Sequence, residues 1–262
     1  MKPLVIFELA NNHMGKISHA KTIIKKYYNL SKKFRNKIDF AIKFQYRDSE
    51  TFIHSKYLNS DDKQILRFKS TFFTRNQWKE IINFSRKKFK LICTPFDEIS
   101  AKNVVKDKFD FLKIASCSAT DWPLVEYIAK NCKNKKIICS LGGLHENEIS
   151  NVISFFSKKT LNIRFLYCVA KYPTEMKDLN LLYFKKLRER YGECISGISL
   201  HEIPDGYLSG AIGLSLGAKI FEKHIGVEKG KNIKLNKYSA DEKQTEKWLT
   251  YLEKSIDLLG SV

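Results

Sequence analysis

Two lysines, two glutamates, two histidines and a set of hydroxyl side chains stand at or beside the ends of short apolar runs, where a chain buries polar groups only for a reason. Glu8 closes the first run and is followed by Asn11, Asn12 and His13; Lys43 and Gln45 lie in the second, Thr94 in the third, and Lys113 with Ser116 close behind in the fourth. Ser140 ends the fifth, Ala170, Lys171 and Tyr172 follow the sixth, Ser199 and His201 finish the seventh, and Glu222 and His224 the eighth. In an extended chain, side chains two apart share a face, so Lys43 and Gln45, Ser199 and His201, and Glu222 and His224 each point one way. Neighbouring strands lie about 4.8 Å apart, which would aim His201 and His224 at one divalent ion, a common transition-metal arrangement.

Lys43 and Lys113 are costly to bury unless they are paired or face an anion. An ion pair with Glu8 or Glu222 is the plain structural account. Thr94, Ser116, Ser140 and Ser199 on the same rim favour a polyanion, because lysines supply charge while hydroxyls supply directed hydrogen bonds to phosphate or carboxylate oxygens. A phosphate-bearing substrate is expected.

The elements that must position these groups are legible as apolar, β-rich runs at 3–10, 40–45, 91–96, 109–115, 136–141, 163–169, 194–200 and 218–225. Amphipathic stretches at 17–34, 76–88, 123–132, 146–156, 180–191, 205–216 and 241–259 have the length and polarity of covering helices. Near-continuous apolar strands alternating with helices indicate a parallel sheet covered on both faces. Eight such units without a break predict a single α/β domain over 1–262, a closed (β/α)8 TIM barrel with chemistry at the C-terminal strand ends. No GxGxxG follows the first strand, which argues against dinucleotide binding. The longest insertion, 47–74, falls after the second strand and could form part of a lid.

At 262 residues with 43% hydrophobic content, the chain can bury one large core. No apolar run approaches the ~20 residues needed to span a bilayer, and the first strand begins too close to Met1 for a signal peptide, so a cytoplasmic location without membrane association is expected. The six cysteines include no CxxC pair and read as free thiols. A net charge of +19 invites a nucleic-acid reading, but the lysines are spread over every helical segment without an Arg-rich block or a recognisable module, so no nucleic-acid partner is expected.

The strand-associated stretches FELANNHMG, IKFQ, CTPFD, LKIAS, CSLGGL, LYCVAKYPT, SLHEIPDG and FEKHIGV occur in order, one per strand. Together they make the chain resemble the barrel domain of the sialic acid synthase family. The resemblance implies a synthase that joins phosphoenolpyruvate to an open-chain, N-acylmannosamine-like aldehyde, giving a 3-deoxy-2-ulosonic acid and phosphate. By position, Lys43, Thr94, Lys113, Ser116, Ser140 and Ser199 match family residues around phosphoenolpyruvate. His201 and His224 match the ligands of a divalent ion, Mn²⁺ foremost and Mg²⁺ or Co²⁺ otherwise, and Glu8, Gln45 and Tyr172 match residues facing the sugar. Glu8, Lys43, Lys113 and Glu222 are the expected catalytic groups, and a homodimer is expected.

The resemblance has departures. Ser118 stands where the family has an acidic residue, Ala170 where it has asparagine, and Ile233, Lys234 and Leu235 where a GPD-type motif places its aspartate. The family's C-terminal antifreeze-like domain has no counterpart before Val262, so the aldehyde pocket is expected to be completed by 47–74, by 234–238 or by another subunit. Three other readings stay open: a related condensation with a phosphorylated or shorter aldose, a Schiff-base aldolase using Lys113 or Lys43, and a non-enzymatic basic binding protein.

Overall fold

A computed structural model of the chain describes residues 2–48, 50–159, 161–228, 230 and 233–260. Eight parallel strands close into a barrel in chain order: β1 (Leu4–Glu8), β2 (Asp39–Tyr46), β3 (Lys90–Pro95), β4 (Phe111–Ile114), β5 (Lys136–Ser140), β6 (Ile163–Cys168), β7 (Ile195–Ser199) and β8 (Ile220–His224). Each overlaps one of the expected runs, so the TIM-barrel expectation holds.

Period-two alternation sorts the strand side chains. Val5, Phe7, Ile42, Phe44, Leu91 and Leu112 face outward into the main core beneath the helices. Ile6, Ala41, Ile92, Ile138 and Leu166 face inward and form a small apolar floor, against which Leu4, Phe111 and Ile220 pack. One step further along the same inward faces the sequence turns polar, with Glu8, Lys43, Thr94, Lys113, Ser140, Ser199 and Glu222 all buried. The floor is therefore apolar at the N-terminal strand ends, and the chemistry begins directly above it.

Closure depends on a small residue. Gly197 pairs with Ile220, and a Cβ on it would stand 1.9 Å from the Ile220 carbonyl oxygen, closer than any packing tolerates. The register then sets Ser199 opposite Glu222, and Glu8 opposite both Lys43 and His224.

The covering helices are α1 (Ile17–Ser31), α2 (Lys63–Ser70), α3 (Arg75–Arg86), α4 (Glu98–Lys106), α5 (Trp122–Asn131), α6 (Glu146–Lys158), α7 (Leu181–Tyr191), α8 (Ser209–Ser215) and α9 (Glu242–Leu259). Asp62, Thr74, Asp97, Asp121 and Asp241 cap five of them, their side-chain oxygens accepting from backbone N–H groups of the first turn. Helix α4 was not among the expected stretches, and the expected 205–216 helix is helical only over Ser209–Ser215. The insertion 47–74 folds into a short turn of 3-10 helix, Ser55–Tyr57, and α2.

That insertion is fastened to the loop after β1. Gly15 has φ +67°, a conformation that favours glycine, and a Cβ there would meet the Ser70 carbonyl oxygen at 2.3 Å. His13 stacks on Phe73, with ring centroids 4.4 Å apart. Among the described residues no helix is long and apolar enough to cross a membrane, and all six cysteines are free thiols, as expected.

Candidate active site

The predicted residues gather around one cavity of about 380 Å³ at the C-terminal ends of the strands. Lys43, Gln45, Lys113, Ser116, Ser140, Tyr172, Ser199, His201, Glu222 and His224 all line it. Glu8 and Thr94 do not; both lie buried behind Lys43. A wider surface groove of about 500 Å³ at the opposite end of the barrel is lined by groups such as Arg35, Asp39 and Lys90, which are engaged with one another or with backbone and present no convergent reactive set.

At the base of the cavity two ammonium groups meet two carboxylates. Lys43 Nζ lies 2.7 Å from Glu8 Oε2 and 3.1 Å from Glu222 Oε1, and donates to Thr94 Oγ1 at 3.2 Å. Lys113 Nζ donates to Ser140 Oγ at 2.7 Å and stands 3.6 Å from Glu222 Oε2. Ser199 Oγ donates to Glu222 Oε1 at 3.0 Å. Glu8 Oε1 accepts from the Ala10 N–H and from Gln45 Nε2, each at 2.8 Å. The ion-pair account of the buried lysines is thus realised, and the four charges balance among themselves.

Their protonation follows from this geometry. Burial opposes the charge on Lys43, but Glu222 and Glu8 overcome it and hold the ammonium above the ordinary lysine range. Burial pulls Lys113 down, and Glu222 only partly restores it. Glu222 falls below the ordinary carboxylate range because Lys113 and Lys43 outweigh its burial, while burial raises Glu8.

Above this cluster, His201 and His224 lie side by side with ring centroids 5.1 Å apart. His201 Nδ1 is 3.3 Å from the Val169 carbonyl oxygen and 3.9 Å from Cys168 Sγ, whereas the buried Nδ1 of His224 has no hydrogen-bond partner. Burial lowers His201 to about 4, and burial followed by His201 itself lowers His224 well below its ordinary value. Both rings are therefore neutral at pH 7, the form that ligates metals. The pair, with one nitrogen left bare, fits a divalent ion. No group of three or more His, Cys, Asp or Glu side chains suited to a metal occurs among the described residues, so the remaining ligands would come from substrate or solvent.

The rim holds both expected and unexpected residues. Tyr172, expected to face the sugar, lies over His201 at 4.3 Å, and Tyr238 of the expected 234–238 segment sits edge-on to His224 at 5.1 Å, so both line the cavity. Arg47, Gln64, Arg67 and Phe68 bring the 47–74 insertion into the opposite wall, beside Phe96. Their only advance signal was the length of the insertion and its position. Of the departing positions, Ser118 is buried, and Leu235 packs where Gly226 leaves room for it: a Cβ at Gly226 would lie 2.3 Å from Leu235 Cδ2. Asn12, which follows Glu8, is structural, donating to the Ile225 carbonyl at 2.7 Å and Ser239 Oγ at 3.0 Å.

A family model described as the NeuB family matches residues 33–262. The chain belongs to the NeuB family. A spore coat polysaccharide biosynthesis protein E from Chromobacterium violaceum superimposes with a TM-score of 0.94 at 37% identity, covering 99% of this NeuB chain and 76% of that one. The N-acetylneuraminic acid synthetase of Leptospira borgpetersenii, solved with citrate, superimposes with a TM-score of 0.82 at 26% identity, covering all of this chain and 86% of that one. A curated relative, the pseudaminic acid synthase of Campylobacter jejuni, is 27% identical over 256 residues, spanning 92% of this NeuB chain and 70% of the relative.

Proposed function

We propose that the protein condenses phosphoenolpyruvate with an open-chain aldose of the N-acylmannosamine type, giving a 3-deoxy-2-ulosonic acid of the sialic acid kind and inorganic phosphate. The observation that carries this reading is the convergence of Lys43, Lys113 and three serine hydroxyls on the same cavity as two neutral, adjacent imidazoles. Membership of a family with synthases among its curated relatives supports this reaction class.

C3 of phosphoenolpyruvate attacks the aldehyde carbon, whose oxygen takes up a proton. Water then adds to C2, and the resulting intermediate collapses with C–O cleavage to release phosphate. Lys113, with Ser140, and Ser116 hold the anionic groups of phosphoenolpyruvate; the Gly142 N–H already donates to Ser116 Oγ at 3.0 Å and fixes that hydroxyl. Lys43 is kept charged by Glu8 and Glu222 and stabilises negative charge that develops beside it. Glu8, through Gln45, orients the hydroxyls of the sugar. A divalent ion held by His201 and His224 would supply Lewis-acid polarisation of the aldehyde oxygen. Tyr172 and Tyr238 cover the imidazoles and limit water. Holding two reactants in register contributes effective molarities that can reach ~10⁵ M or more.

The test is phosphate release from phosphoenolpyruvate against a panel of N-acyl hexosamines, pentoses and aldose phosphates with Mn²⁺ present, with mass detection of product. Release that depends on an aldose, with a product mass equal to aldose plus pyruvate, is expected; no release with any aldose rejects the reading.

The lowered pKa of buried Lys113 also suits a Schiff-base aldolase. Borohydride trapping of a pyruvate adduct on Lys113 would decide for that second reading, which leaves the paired histidines without a role.

A further inference from the structure

The charges deep in the cavity cancel, two ammonium groups against two carboxylates. The wall built by the 47–74 insertion does not follow that balance. Arg47 and Arg67 both line the cavity, and among the described residues neither has a carboxylate within ion-pairing distance. Arg75 nearby shows the ordinary alternative, bonded to Asp107 at 2.6 Å.

The Arg47 guanidinium lies against three aromatic rings, 4.3 Å from the Phe96 centroid, 4.5 Å from Phe68 and 5.3 Å from Phe52. Its Nη2 donates to Gln45 Oε1 at 2.6 Å, and its buried Nε has no acceptor. Burial pulls its pKa down to about 10 against the more distant Glu8 carboxylate, which only partly restores it, and repulsion from Arg67 adds to the fall. A buried, ring-stacked guanidinium with a free N–H edge and a second arginine beside it is costly unless an anion arrives. Phosphate monoesters and carboxylates match that fork with paired hydrogen bonds.

Which reactant brings the anion follows from what Arg47 is bonded to. Arg47 Nη2 donates to Gln45 Oε1, and Gln45 Nε2 donates to Glu8 Oε1, so Arg47 continues the Glu8–Gln45 pair that was assigned above to the sugar hydroxyls. The aldehyde carbon must meet C3 of phosphoenolpyruvate, so the far end of the open chain is the part left to run past Gln45 to Arg47 and Arg67. We propose that Arg47, seconded by Arg67, recognises an anionic group at the far end of the acceptor, making the acceptor a phosphorylated or carboxylated aldose and not a neutral one. This inference rests on the synthase reading above.

The experiment compares N-acetylmannosamine 6-phosphate, mannuronic acid and N-acetylmannosamine as acceptors, with phosphoenolpyruvate and Mn²⁺, in the full chain. An anionic acceptor is expected to exceed the neutral one roughly thirtyfold in kcat/KM, the scale of one desolvated charge-assisted contact. The phosphate and carboxylate arms separate the two sources of charge. Arg47→Gln should raise KM for the anionic acceptor about tenfold or more, leave KM for phosphoenolpyruvate within about threefold, and be partly rescued by Arg47→Lys. Preference for the neutral acceptor overturns the proposal, as does a loss that falls equally on neutral and anionic acceptors or on phosphoenolpyruvate. Should no acceptor release phosphate, the synthase reading fails on its own account. Calorimetric binding of N-acetylmannosamine 6-phosphate then still tests the anion site: weakening in Arg47→Gln sustains it, and absence of binding to the unsubstituted protein sinks it.

Discussion

Glu222 is the residue on which the buried charges turn, since one carboxylate faces Lys43, Lys113 and the Ser199 hydroxyl together. Glu222→Gln keeps the shape and removes the charge, leaving two buried ammonium groups to share Glu8. Loss of about 3 kcal/mol in a denaturant titration is expected, with phosphate release down at least about a hundredfold. For the histidine pair, His201→Ala or His224→Ala should abolish phosphate release, as should rigorous chelation, with Mn²⁺ restoring the chelated protein; full activity after chelation would reject the metal role. His13 gives a pH dependence of stability. Burial lowers it to about 3 from 6.5, and it accepts from the Gly15 N–H at 3.1 Å in the neutral form. The unfolded chain takes up a proton below about pH 6.5 that the folded chain refuses until about 3, so this contribution is present above 6.5 and lost as pH falls through that window. The melting temperature should fall less steeply between pH 6.5 and 4 in His13→Gln than in the unsubstituted protein.

Among the elements, strands were more legible than anything between them. Eight apolar runs reveal buried parallel strands because both faces of such a strand must be apolar below the active-site layer, and the pattern changes only where the inward face turns polar. Period two gave the direction of Lys43, Ser199 and Glu222 correctly but says nothing of depth, which is why Glu8 and Thr94 lie behind Lys43 and not on the cavity surface. The 47–74 insertion follows no repeating template, so Arg47, Arg67 and Phe68 could be assigned to the cavity only once α2 was seen folded over it. Helix α4 is only nine residues long and buries Ser100, Ala101 and Val104, small side chains that leave little apolar signal in the sequence. Two glycines carry predictions at this scale. Gly197→Ala should block barrel closure and give insoluble or unfolded protein in a solubility and circular-dichroism comparison. Gly15→Ala should leave the barrel folded but lift α2, seen as faster limited proteolysis between residues 47 and 74.

For the molecule as a whole, the charge of +19 is distributed over exposed lysines, several of them in surface pairs such as Lys21–Glu80 at 2.6 Å and Lys33–Glu246 at 2.6 Å that add little stability. Its expected effect is kinetic: an anionic reactant is drawn toward the molecule, so kcat/KM for phosphoenolpyruvate should fall several-fold as ionic strength rises, with kcat nearly constant. The apolar floor of Ile6, Ala41, Ile92, Ile138 and Leu166 has a further consequence. A vessel sealed at its base has a single door, and traffic through a single door must queue. Whatever is to occupy the bottom must enter before the companion that covers it, so loading of such a vessel is ordered by architecture before any affinity is considered.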